Sequence, residues 1–148
     1  MRVFRPLAIV ILLVLSALDA VASISKADSA TVFILVVQDD DPVSHGSGFF
    51  ITPGGHLVTN QHVVSAKNVK FFVFYEGESY AEAFVVDTDS TKDLALLKAD
   101  VDEEVPVIAL AEQPPEKGSA IFALGFPGSQ IELLTNLDNM GILSLIHI

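Results

Sequence analysis

Short apolar runs rich in β-branched and aromatic residues, separated by turn residues, cover the chain from residue 31 to residue 124. Long segments with helical spacing of apolar residues are missing, so the pattern predicts an all-β domain, either a barrel or a sandwich. The first predicted strand is Thr31–Gln38. It is followed by Asp39-Asp40-Asp41-Pro42, where clustered charge and a proline disfavour a continuing strand and predict a solvated loop.

Two hairpins are predicted by turn residues between strand-like runs. Residues 48–52 and 56–60 flank Pro53-Gly54-Gly55, where proline presets the turn and glycine accepts a positive φ. Residues 69–75 and 80–86 flank Glu76-Gly77-Glu78 in the same way. The remaining predicted elements are, in chain order, a short strand at 94–97, an acidic loop at 100–104, an apolar run at 105–110 and a last strand at 120–124.

The first 22 residues have the layout of a secretory signal peptide. Arg2 and Arg5 precede an unbroken apolar run at 7–15, and Ala20-Val21-Ala22 supplies the small residues that a signal peptidase requires. The alternative is a membrane anchor, but the apolar run is far shorter than the roughly 20 residues that cross a bilayer. We therefore expect cleavage after Ala22, no stable membrane anchoring, and a secreted or periplasmic protein.

Composition narrows the class of partner. The chain has no cysteine, which excludes disulfides and thiolate zinc sites and fits a bacterial envelope protein better than an animal extracellular one. It carries 19 acidic against 8 basic residues, for a net charge of −11, and its lysines are scattered. Phosphate backbones would repel such a chain, so no nucleic-acid partner is expected.

Two residues are candidates for acid–base chemistry. His62 lies where a predicted strand gives way to a turn, and Asp93 directly precedes an apolar strand. A serine hydrolase needs an imidazole to accept the hydroxyl proton and a carboxylate to orient and stabilise that imidazole. Taken singly, a histidine beside valines is more often structural and a turn aspartate more often solvent-facing. Their order and flanking strands together favour the functional interpretation.

The segments around these residues resemble the HtrA-like branch of the trypsin-like, chymotrypsin-fold serine proteases. The resemblance is carried by Gly46-Ser47-Gly48-Phe49, Thr59-Asn60-Gln61-His62-Val63-Val64 and Asp93-Leu94-Ala95-Leu96-Leu97, within roughly residues 31–128. It implies the first antiparallel β-barrel of a two-barrel fold. It also implies that His62 is the general base, that Asp93 is its orienting carboxylate, that proteins or peptides are the substrates, and that no cofactor is needed.

The end of the sequence matches this family less closely. Ala123-Leu124-Gly125-Phe126-Pro127-Gly128 resembles the crossover between the two barrels, and Gly141-Ile142-Leu143-Ser144 resembles an early strand of the second. We therefore expect one barrel at 23–128 and a truncated start of the second at 129–148. The alternative for residues 143–148 is a non-native tail, because this apolar run has neither a turn nor a charged end.

A nucleophile cannot be assigned from the sequence. The family places its serine in a later Gly-x-Ser-Gly-Gly segment, and no serine after Asp93 is followed by paired glycines; these serines are Ser119, Ser129 and Ser144. We therefore expect a serine endopeptidase by family whose printed chain is inactive. The alternative is a protease-like module that binds peptides or proteins without cleaving them.

The remaining histidines do not suggest a metal site. His45, His56 and His147 show no ligand spacing with one another or with a carboxylate, so no metal is expected. Neither substrate specificity nor oligomeric state follows from the sequence.

Overall fold

The computed structural model describes residues 23–76 and 79–126. In this part of the chain a helix at 23–30 leads into six strands and one 3₁₀ helix. These elements are β1 (Thr31–Gln38), β2 (Asp41–Phe50), β3 (His56–Thr59), η1 (Gln61–Val64), β4 (Lys70–Tyr75), β5 (Ser79–Asp89) and β6 (Leu94–Ala99). The strands form a closed antiparallel barrel in the order β1-β2-β3-β6-β5-β4, which confirms the predicted all-β barrel.

Strand β1 is buried on both faces, which explains its uninterrupted apolar sequence. Val32, Ile34 and Val36 point into the main core, together with Phe50, Leu57, Val73 and Leu97. The alternate residues Phe33, Leu35 and Val37 form a second cluster with Phe74, against which Phe72 and Phe126 pack. Because successive side chains of a strand point to opposite faces, one continuous apolar run serves both clusters.

The turn between β1 and β2 differs from the predicted loop. Strand β2 begins at Asp41, directly after a two-residue turn in which Asp39 and Asp40 have φ values of 51° and 67°. Left-handed residues suit the tight hairpin turns that match the twist of a sheet, and aspartate tolerates this conformation better than most residues. Pro42 is accommodated opposite Val37, where the register shifts. Residues 39–42 are exposed and β1 ends at Gln38, as predicted, but the connection is a two-residue turn because Asp41 and Pro42 already belong to β2.

The two predicted hairpins are confirmed, and one strand of each, β2 and β5, is longer than expected. Strands β2 and β3 pair as far as Phe50 and Leu57, and β4 and β5 pair as far as Tyr75 and Ser79. Strand β5 continues to Asp89 and β6 to Ala99, beyond the predicted ends, because their pairing runs along most of both strands.

The chain beyond β6 follows the barrel without adding a strand. The amides of Val105 and Ile108 donate to the carbonyls of Pro53 (3.1 Å) and Phe50 (2.9 Å), and these two bonds hold the apolar run at 105–110 near the β2–β3 turn. The strand predicted at 120–124 is absent, and Ile121 is 78% exposed. A closed barrel leaves no free strand edge with which this segment could pair. That prediction was wrong for this reason.

Three further sequence predictions concern membrane spans, the signal peptide and the second barrel. No helix among residues 23–76 and 79–126 combines the length and apolar character required to cross a bilayer. The predicted signal peptide at 1–22 lies outside the described residues. The whole predicted second-barrel segment at 129–148 also lies outside them.

Gly55 joins the β2–β3 turn to the end of β6. Its φ is 88°, its carbonyl accepts the Ala99 amide at 2.9 Å, and a Cβ atom here would lie 2.6 Å from the Ala99 carbonyl oxygen. Its neighbour Gly54 would place a Cβ in open space. The barrel therefore requires glycine at position 55, whereas position 54 has room for a side chain, so the two adjacent residues can be compared directly.

We predict that Gly55→Ala lowers the free energy of unfolding by about 1–3 kcal/mol, because alanine disfavours a left-handed backbone and its Cβ collides with β6. Gly54→Ala should change it by no more than about 0.5 kcal/mol. Urea unfolding followed by circular dichroism measures both. Equal stabilities of the two variants would contradict the prediction.

Candidate functional site

His62 is carried by η1, which is seated on the barrel by two buried valines. Val63 and Val64 pack into the core, while the His62 side chain is 69% exposed. The seat exists because β2 has a glycine under it: a Cβ on Gly46 would lie 2.6 Å from Val63 Cγ2. Burial of the two valines therefore holds η1 in place and leaves the imidazole at the surface.

Asp93 lies at the end of a tight turn between β5 and β6. Asp89 Oδ1 accepts the amides of Thr91 (3.0 Å) and Lys92 (3.2 Å), and Lys92 Nζ lies 3.1 Å from Asp89 Oδ2. At the end of this turn Asp93 has a φ of 53°, immediately before β6. The turn is thus organised by one aspartate, and its last residue presents a second.

The pairing of β3 with β6 brings the two residues together. Thr59, the last residue of β3, pairs with Ala95 near the start of β6. Because the strands are antiparallel, the chain leaving β3 and the chain entering β6 lie at the same end of the barrel. His62 follows the first and Asp93 precedes the second, so the predicted pair is adjacent in the structure.

Both carboxylate oxygens of Asp93 are engaged by His62. Oδ2 lies 2.7 Å from the imidazole Nδ1, and Oδ1 accepts the His62 backbone amide at 2.9 Å. An ionised carboxylate can only accept, so Nδ1 carries the proton and Nε2 of the neutral ring has a free lone pair. This is the tautomer in which Nε2 can accept a proton from a hydroxyl group.

The surroundings of Asp93 favour its ionised form. The His62 backbone amide, followed by the His62 ring, holds the pKa of the Asp93 carboxyl below its ordinary value, and the Asn60 amide contributes in the same direction. Desolvation opposes this shift only partly, since the carboxyl is exposed to solvent. The Asp93 carboxylate is therefore charged at neutral pH.

Asn60 is a contact that the sequence did not predict. Its Nδ2 donates to Asp93 Oδ2 and to the Asp93 carbonyl oxygen, both at 3.2 Å. The residue was part of the segment that carried the family resemblance, yet no role was assigned to it. Its position before a turn suggests only a helix cap, and the partner 33 positions away becomes visible only in the fold.

The other histidines are placed in structural contacts. The His45 ring stacks on Phe33 with centroids 5.5 Å apart, and His56 Nδ1 lies 3.0 Å from Thr52 Oγ1. His147 lies outside the described residues. Among residues 23–76 and 79–126, no group of three histidine or acidic side chains is arranged to hold a metal ion.

The described part of the chain places no serine hydroxyl in a hydrogen bond with His62 Nε2. Ser65 donates to the His62 carbonyl at 2.9 Å, and the Ser119 amide donates to the Glu116 carbonyl in a separate turn. Ser129 and Ser144 lie outside the described residues. Within the described residues the pair is therefore an imidazole held by a carboxylate, with no serine hydroxyl bonded to its second ring nitrogen.

A largely apolar groove of about 470 Å³ adjoins the pair. Asn60 and Leu94, the neighbours of the two site residues, belong to its wall, and Phe122 and Leu124 from the segment after β6 line it as well. The groove therefore reaches the pair through Asn60 and Leu94, and neither His62 nor Asp93 lines it.

Comparison with known proteins identifies relatives of this arrangement. Residues 46–144 match the model of the trypsin-like peptidase domain. The chain is 37% identical over 103 residues to serine protease HTRA1A of Danio rerio, covering 69% of this chain and 20% of that protein. It is 38% identical over 110 residues to serine protease HTRA4 of Mus musculus, covering 74% and 22%.

A bacterial relative is also similar. The chain is 39% identical over 87 residues to a probable periplasmic serine endoprotease, DegP-like, of Rhizobium meliloti (strain 1021), covering 58% of this chain and 17% of that protein. The chain thus spans about a fifth of the length of these relatives.

The lowered pKa of Asp93 predicts a specific dependence of stability on pH. A carboxyl whose pKa is lower in the folded state stabilises that state above the unfolded pKa of about 4, and loses this contribution as the pH falls through the folded value. Asp93→Asn should therefore lower stability relative to the unmodified chain at pH 7. The difference should shrink towards about pH 3.

Urea unfolding at both pH values measures this difference. Asp100→Asn is the matched control, since Asp100 is an exposed aspartate whose carboxylate makes no hydrogen bond or ion pair with the described residues. A difference between Asp93→Asn and the unmodified chain that is the same at both pH values would contradict the prediction.

Proposed function

The chain belongs to the trypsin-like peptidase family, and from that premise we propose that His62 and Asp93 are the general base and the orienting carboxylate of a serine endopeptidase. The observation that carries the proposal is the two-point contact of the Asp93 carboxylate with the ring and the backbone of His62, at 2.7 Å and 2.9 Å. One contact fixes the tautomer and the other fixes the position of η1.

The proposed reaction uses the lone pair of His62 Nε2. As the serine oxygen attacks the substrate carbonyl carbon, Nε2 takes the hydroxyl proton, and it then gives that proton to the leaving amine as the C–N bond breaks. Asp93 stabilises the imidazolium in between. Water hydrolyses the resulting acyl-enzyme by the same proton transfers, which restores the free serine.

The nucleophile in this proposal belongs to a Gly-x-Ser-Gly-Gly segment, which the 148-residue sequence does not contain. In the trypsin-like order the serine follows the histidine and the aspartate along the chain. We accordingly propose that residues 23–128 form the first barrel and residues 129–148 the start of the second. The sequence as printed would then hold the base and its carboxylate and lack peptidase activity on its own.

Substrates and location are part of the same proposal. Proteins or peptides are the substrates, in keeping with the serine proteases that the chain resembles. The leader-like residues 1–22 support export, and one relative is named as periplasmic. We propose a secreted or periplasmic protein.

We predict that the product of a complete reading frame containing this segment reacts covalently with a fluorophosphonate probe, because such labelling requires an activated serine. His62→Ala and Asp93→Asn should each slow labelling by about 10⁴-fold, the loss typical of a triad with a missing base or the wrong tautomer. Labelling is followed by gel fluorescence over time.

The matched controls for labelling are His45→Gln and Asp100→Asn, which should keep the unmodified rate because these residues do not contact His62 or Asp93 in the part of the chain described. Absence of labelling in the unmodified protein, together with retained peptide binding, would favour a non-catalytic binding module instead.

We also predict that export of the chain in a bacterial host yields a mature protein that begins at Ser23. Ala22→Asp should block this cleavage, because the peptidase requires a small residue at that position. N-terminal sequencing of the exported product measures both results. A product that retains residues 1–22 in the unmodified chain would contradict the signal-peptide interpretation.

A further inference from the structure

Asn60 occupies the cap position of η1 without acting as its cap. Its backbone is extended, with φ −78° and ψ 144°, as a residue preceding a helix should be, yet its side chain makes no capping hydrogen bond. Asparagine is among the best N-cap residues because its side-chain oxygen accepts the amide of the second or third helical residue. The Asn60 side chain does not accept either of these amides.

The missing capping bond is replaced by Asp93, from the turn before β6. The second residue of η1 is His62, and its amide donates to Asp93 Oδ1 at 2.9 Å. Asp93 therefore takes the role that Asn60 would otherwise perform. The Asn60 side chain is turned instead to donate to Asp93, at Oδ2 and at the backbone carbonyl.

The two Asn60 contacts act on different parts of Asp93. The bond to the carbonyl oxygen supports a backbone held at φ 53°, a conformation that non-glycine residues rarely adopt. The bond to Oδ2 reaches the same oxygen that accepts His62 Nδ1. One amide group thus secures both the backbone and the carboxylate of the residue that orients the imidazole.

We propose that Asn60 is a positioning residue, which holds the Asp93 carboxylate in the orientation that fixes His62. The geometric part of this inference concerns the three residues alone, while its catalytic consequence rests on the proposed function. The other charged group next to Asp93 in sequence, Lys92, is held by Asp89 and makes no ion pair with Asp93.

Two substitutions of Asn60 separate positioning from capping. Asparagine and aspartate are about equally good N-caps, so a residue that only capped η1 would tolerate Asn60→Asp and would be harmed by Asn60→Ala. A positioning residue would instead be harmed more by Asn60→Asp than by Asn60→Ala. Asn60→Ala removes a donor, whereas Asn60→Asp also sets a second carboxylate against Asp93, where like charges repel.

The direct test is NMR of the chain itself. In the unmodified chain, the ¹⁵N shifts of the His62 ring should report a proton on Nδ1, and carbon detection of the Asp93 carboxyl should show a pKa below the ordinary value. Asn60→Ala should weaken both signatures, and Asn60→Asp should weaken them more and raise the Asp93 pKa. Gln61→Glu is the matched control, since it adds the same charge one residue away on η1.

Two results would overturn the inference. One is an Asn60→Asp chain whose His62 and Asp93 signals match those of Gln61→Glu. The other is a loss in Asn60→Ala that Asn60→Asp restores, which is the behaviour of a cap. Circular dichroism of each variant confirms that the barrel is folded, and Asn60→Ser provides a further folded variant that removes the amide donor.

Probe labelling of the longer product separates this inference from the proposed function. Asn60→Ala should slow labelling by about tenfold, the effect of losing one hydrogen bond to a charged group, and Asn60→Asp should slow it more. Labelling at equal rates in all variants would overturn the positioning role and leave the peptidase intact. If the longer product is not labelled, but Asn60→Asp still weakens the His62 and Asp93 NMR signatures more than Asn60→Ala does, the peptidase proposal fails and the positioning role stands.

Discussion

The pairing of β3 with β6 is the interaction on which the barrel and its site both depend. These strands are far apart in the chain, with the β4–β5 hairpin between them, and their four paired positions join the first hairpin to the last strand. Without this pairing the sheet would keep two free edges, and the core residues Leu57 and Leu97 would lose each other as neighbours. The same four positions set the distance between η1 and the turn before β6, so closure of the barrel and assembly of the site are a single structural event.

Asp93 connects the two chain segments that the pairing of β3 with β6 brings together. Its carboxylate links two loops by accepting from the backbone of one helix and from the ring that this helix carries. The backbone contact is a helix cap supplied from the turn before β6, and the ring contact sets a tautomer. Because both contacts use the same ionised group, the conformation of η1 and the tautomer of His62 both depend on the Asp93 carboxylate.

Much of the architecture could be predicted from the sequence because local signals agreed with the fold. Strand β1 was predicted with its observed ends, since an apolar run buried on both faces has unambiguous boundaries, and the Pro53-Gly54-Gly55 turn was predicted by its residue types. Prediction failed where tertiary context decided the outcome. Asp39 and Asp40 form a tight turn whose compatibility with the sheet twist is not visible in a run of acids. Residues 120–124 have strand-like composition but meet a sheet with no free edge. The role of Asn60 depends on a partner across the barrel, and no local pattern encodes it.

The second apolar cluster, on the outer face of β1, determines where the chain leaves the barrel. Phe126 packs edge-on against Phe33 with centroids 5.6 Å apart, and its amide donates to Ser47 Oγ at 2.7 Å. The two hydrogen-bonded residues are 79 positions apart, the largest separation among the side-chain hydrogen bonds of the described residues. Contacts of such long range close a large loop, and the entropy cost of that closure rises with its length. Phe126 is therefore anchored to a surface that exists only where β1 and β2 are paired, so the place of this last described residue depends on the barrel as a whole.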